Sequence, residues 1–144
     1  MKKVISLILV VLILTGCTNG FPNGVVRQPE GKVILDDEHY AMIQSNYEWA
    51  EKNVHITQAS STPEELVDEF ETLVAEKGDT LKFKIDKNPT SITVTKLNED
   101  GTIDSVEIED NKITLPSKGG YYIYELNTTW VQGKENFTFD INVK

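Results

Sequence analysis

The stretch Lys96 to Glu107, KLNEDGTIDSVE, is the densest run of potential metal ligands in the chain. With Lys96 as position one, Asn98, Asp100, Asp104 and Glu107 fall at positions three, five, nine and twelve of a calcium-binding loop, and Gly101 at its turn position six. Position one breaks the pattern, because a lysine stands where the first carboxylate belongs. Helical periodicity flanks the run on neither side. The same residues make a β-hairpin turn, with Asp100-Gly101 at the tip. The turn is the favoured reading, so no metal site is assigned. A weak calcium site at Asn98, Asp100, Asp104 and Glu107 is the alternative.

Other residues capable of chemistry are scattered. Asp36, Asp37, Glu38 and His39 gather oxygens and one imidazole. Adjacent residues of an extended segment point apart, however, so a solvated turn is expected rather than a ligand set. His39 and His55 are the only histidines, which excludes a three-histidine zinc site. Ser60 and Ser61 lack the glycines of a nucleophile elbow. With no catalytic constellation in view, the chain reads as a binding protein rather than an enzyme. The aromatics Tyr47, Trp49 and Tyr121 are then the candidate contacts, since such rings bind sugars and peptides well. A cysteine-free core also needs bulk, and most of the aromatics are expected inside. Tyr121, on the strand face opposite Tyr122, is the best candidate for exposure.

The elements that must position these residues are mostly strands. Val33 to Leu35 reads as a short strand, and Asp36 to Glu38 as an acidic turn. Ala41, Ile43, Tyr47 and Trp49 share one face of a second strand, with Ser45 as the exception. Thr62-Pro63-Glu64-Glu65 is a helix start, with a capping residue, a proline at the first position and a glutamate to close the capping box. The spacing of Leu66, Phe70 and Leu73 predicts one helix of about three turns over 62–76. Beyond Gly78 the period becomes two, through Leu81-Phe83-Ile85, Ile92-Val94, Ile103-Val106-Ile108 with a one-residue slip that reads as a bulge, Ile113-Leu115, Gly120 to Trp130, and Phe137 to Val143. Many short strands separated by turn signals predict a mainly β fold, an antiparallel β-sandwich with one short helix.

The segment Leu115 to Tyr124, LPSKGGYYIY, resembles the start of the penultimate strand of immunoglobulin-like domains. The resemblance covers roughly Leu81 to Lys144. It implies that Tyr122 points inward and bonds back to the preceding corner, and that Tyr124 stands where antibody domains carry cysteine.

At the start, Lys2 and Lys3 precede the apolar run Val4 to Leu14, interrupted only by Ser6. As a helix this run reaches roughly 16 Å, about half of a ~30 Å hydrocarbon core. That suits a secretion signal rather than a span. The run ends Leu14-Thr15-Gly16-Cys17, which resembles the lipobox of bacterial lipoproteins. The resemblance implies diacylglycerol on the Cys17 sulfur, cleavage before Cys17 and a fatty acid such as palmitate in the anchor. The whole chain is similar to small Gram-positive surface lipoproteins. Cys17 is the only cysteine, and as a thioether it escapes oxidation. Two acyl chains bury on the order of 30 methylenes at ~0.8 kcal/mol each, an effectively permanent anchor.

The expected organisation is a signal peptide over 1–16, lipidated Cys17 with a flexible tether over 17–31, and the sandwich over 32–144. The tether reaches roughly 20 Å, beyond the ~8 Å screening length. The net charge of −9 becomes more acidic by two when Lys2 and Lys3 leave with the signal. Such acidity argues against nucleic acid and against adhesion of the protein surface to anionic lipid. The expected location is the extracytoplasmic face of the cell membrane, with no cofactor beyond the covalent lipid and with an envelope protein or cell-wall ligand as partner. Two alternatives stand beside the binding module. One is an envelope enzyme or weak divalent-metal binder, and the other an inhibitor or immunity-type lipoprotein against a secreted hydrolase or toxin.

Overall fold

The computed structural model describes residues 27–51, 54–57 and 61–144. The signal region, Cys17, Ser60 and the tether as far as residue 26 lie outside the described residues. Among the described residues, eleven strands and one short helix follow in order: β1 Gly31–Leu35, β2 Glu38–Ala41, β3 Ile43–Glu51, β4 Val54–Thr57, α1 Pro63–Leu66, β5 Leu73–Ala75, β6 Thr80–Ile85, β7 Ser91–Leu97, β8 Ile103–Val106, β9 Lys112–Thr114, β10 Gly120–Trp130 and β11 Gly133–Val143.

The strands form an antiparallel β-sandwich. One sheet runs β2-β1-β6-β9 and the larger one β4-β3-β11-β10-β7-β8. Strands β8-β7-β10-β11 of the large sheet and β6-β9 of the small sheet supply side chains to one common core. Strands β1 to β4 extend both sheets. Alternation decides which side chains meet between them. Val33, Leu35, Leu81, Phe83 and Ile113 come from the small sheet, and Tyr124, Leu126, Phe137, Phe139 and Ile141 from the large one. The Tyr124 and Phe139 rings stack at 5.1 Å between centroids.

The predicted helix is shorter than its spacing indicated. The capping box forms, with the Thr62 hydroxyl accepting from the Glu65 amide and the Glu65 carboxylate accepting from the Thr62 amide. The α-helix nevertheless ends at Leu66, and a single 3-10 turn carries the chain through Val67–Glu69. Asp68, Glu69 and Glu71 would sit in the C-terminal half of a longer helix, where its dipole disfavours anions. Leu73 to Ala75 instead pair parallel with Ile141 to Val143. They satisfy backbone groups on the outer edge of β11 that β3 does not reach.

Two more expectations are corrected. Tyr47 and Trp49 are core residues, 3% and 1% exposed, and are therefore not contact aromatics. Trp49 meets Trp130 edge-on at 5.4 Å, and Lys87 Nζ stands 4.8 Å from its ring. The reason lies in a register shift between β3 and β11 near Asn46, whose φ is +45°. Such a bulge reverses which face later residues occupy. Ile43 pairs with Thr138 on the outer face, whereas Trp49 pairs with Gly133 and turns inward.

The end of the expected tether also belongs to the fold. Gly31 opens β1, the Gln28 amide donates to Glu135 Oε1 at 2.6 Å, and the Gln44 amide donates to the Pro29 carbonyl at 2.7 Å.

Candidate functional site

On the outer face of the large sheet, one cross-strand row runs Ile103, Leu97, Ile123, Asp140 across β8, β7, β10 and β11. Ile103, Leu97 and Ile123 are out of phase with the core-facing set, so the sheet carries an apolar strip on its outer face as well. Over β10 and β11 the outer face is covered by α1 and its 3-10 turn, which buries Val67. The cover stops short of β7 and β8. Ile103 is left 68% exposed on the last strand.

A groove runs along the edge of this cover, between α1 and β8. A depression of ≈470 Å³ is floored by Leu97, Ile123 and Tyr121 and walled by Ile103. A smaller recess of ≈120 Å³ continues from it towards Pro63 and Thr95. Glu64 borders both, Glu99 the larger depression and Glu125 the recess. Burial raises the Glu125 carboxyl above the ordinary range, and the nearby carboxylate of Glu64 adds to the effect. The groove thus combines an aliphatic floor with a carboxylate rim.

Tyr121 is held at the groove's edge. Its amide donates to Glu99 Oε1 at 2.7 Å, and its hydroxyl donates to Asp140 Oδ2 at 2.6 Å. Thr72 donates to the same oxygen at 2.9 Å. Burial, and then Asp140, push the tyrosine hydroxyl above its usual range. The ring is half-buried with its hydroxyl tied down, so Tyr121 offers a ring face and not a free polar tip.

The loop of Asn98, Asp100 and Asp104 forms a turn with its oxygens engaged. Asp100 Oδ1 accepts from the Thr102 amide at 2.9 Å, and the Asn98 amide nitrogen donates to Asp104 Oδ2 at 2.8 Å. Hydrogen bonds from Thr102 and Asn98 respectively lower the Asp100 and Asp104 carboxyls. Gly101 adopts φ +84° at the tip. Glu107 lies past the end of β8, in a separate depression with Glu109 and Lys112. Among the described residues, no group of three or more His, Cys, Asp or Glu side chains is placed to hold a metal ion.

Asp36 and Asp37 form the two-residue turn between β1 and β2, both with positive φ. His39 is exposed on β2, and His55 Nε2 stands 4.0 Å from Glu48 Oε1 at the surface of β4.

The groove residues Leu97, Ile103, Ile123, Glu64 and Glu125 were not singled out by sequence reasoning. The signal was available in the apolar residues that break period two. Ile123 lies between Tyr122 and Tyr124, and Leu97 follows the inward Lys96. One further residue escaped notice. Glu135 is fully buried, and burial pushes its carboxyl up to about 8, against a lowering contribution from the Gln28 hydrogen bond.

No protein-family model and no curated protein sequence matches the chain.

Proposed function

We propose that this chain is a lipoprotein anchored through Cys17 at the extracytoplasmic face of the membrane, and that its sandwich is a non-enzymatic binding module. The anchor reading rests on Leu14-Thr15-Gly16-Cys17 and the charged, apolar run before it. The binding reading rests on Ile103, exposed at the end of the apolar row Ile103-Leu97-Ile123. A rigid sheet presents this row at small entropic cost to the module, because strand pairing already orders the contact side chains. The ligand is an envelope protein that covers Ile103.

The test is capture of partners by the full-length, tagged chain from detergent-solubilised membranes of its host. The expected outcome is one specific protein, lost when Ile103→Asp is introduced. Repeated capture without a specific partner, or a partner retained by Ile103→Asp, contradicts the reading.

A further inference from the structure

The groove's rim is anionic and lacks internal compensation. The ion pairs among the described residues join Glu48 to His55 and Lys134, and Lys96 to Asp104; none reaches Glu64 or Glu125. The two carboxylates nevertheless border one small recess, and the charge of Glu64 contributes to raising the Glu125 carboxyl. The recess also has apolar walls at Leu97, Ile103 and Ile123. Its ≈120 Å³ is the scale of a single side chain. A long aliphatic stem ending in a cation satisfies both features at once, since lysine and arginine bury their methylenes while the charged head stays at the polar edge.

We infer that the groove receives a segment of a partner polypeptide carrying a Lys or Arg beside an aliphatic side chain. The aliphatic group covers Ile103 and Leu97. The cation's stem enters the recess and its head lies between Glu64 and Glu125. Charge decides against the other occupants. A second copy of this chain brings a net charge of −9 and the same acidic rim, and anionic lipid is repelled in the same way. This inference rests on the reading of the sandwich as a binding module and adds the chemistry of the partner.

The experiment uses the full chain in zwitterionic nanodiscs, with empty discs as background. Fluorescence anisotropy follows a labelled peptide of alternating lysine and leucine, with a glutamate–leucine and a lysine–serine peptide as comparisons. Only the lysine–leucine peptide is expected to bind appreciably. Glu64→Gln with Glu125→Gln, and separately Ile103→Ser, each weaken it about tenfold or more. Asp36→Asn with Asp37→Asn, which removes the same charge in a turn that tolerates asparagine, changes affinity less than about twofold. Equal loss from both charge-removing pairs reduces the effect to diffuse attraction and overturns the inference. So do equal affinity for the lysine–serine peptide, absence of binding, or sedimentation showing a dimer that Ile103→Ser dissociates. A membrane partner whose capture ignores Glu64→Gln and Glu125→Gln removes this inference but keeps the binding module. Peptide binding without any captured partner keeps the groove's ligand chemistry and removes the envelope protein named as its ligand.

Discussion

The Tyr122 hydroxyl donates to the carbonyl of Lys118 at 2.8 Å, closing the corner that leads into β10. The ring is buried, and Lys96 Nζ stands 5.2 Å from its centre. Tyr122→Phe removes the hydroxyl and leaves the Lys118 carbonyl without this donor. The expected loss is about 1 kcal/mol, the scale of one buried hydrogen bond. Thermal unfolding of the variant checks it, and an unchanged midpoint rules out a stabilising role for the corner.

Glu135 gives the fold a pH dependence. Its carboxyl is raised from 4.5 to about 8 in the folded chain, so folding favours the protonated form. That stability is fully present below about 4.5 and is lost as pH rises through about 8. Urea unfolding is therefore expected to show a less stable domain near pH 9 than near pH 5, by on the order of 1–3 kcal/mol from this group. Glu135→Gln keeps the shape of the neutral acid and the acceptor for Gln28, and should remove most of that difference. A variant that retains the full difference assigns the dependence to other groups.

Much of the sandwich was legible because its core strands keep a strict period of two. Leu81-Phe83 and Phe137-Phe139-Ile141 appear in sequence as they pack in the fold. The helix was overread because Leu73 fits helical spacing from Leu66, while its pairing partner on β11 is 68 residues further on. Tyr47 and Trp49 were offered as contacts on ring chemistry alone, and no local signal announces the bulge near Asn46 that separates them from the face of Ile43 and turns them into the core. The groove was hidden for a related reason. Glu64 and Glu125 belong to separate elements, and only the docking of α1 on β10 brings them to one recess.

The anchor is checked at the sulfur. Cys17→Ala should stall processing or release the protein from membranes, because in the proposed anchor two acyl chains supply the hold. Mass spectrometry of the wild-type protein from its host should find an N-terminal peptide beginning at Cys17 with diacylglycerol on its thioether. An unmodified thiol in protein free in the medium removes the tether from the proposal.

The binding face is tested most directly in cells, by replacing Ile103 with a photo-crosslinking phenylalanine derivative in the full-length chain. Val131, 88% exposed at the β10–β11 turn and not among the groove residues, serves as the comparison. The expected result is one discrete adduct from position 103, recovered in the membrane fraction, and none from position 131. Adducts of equal yield from both positions, or none from position 103, contradict the assignment of this groove as the contact face.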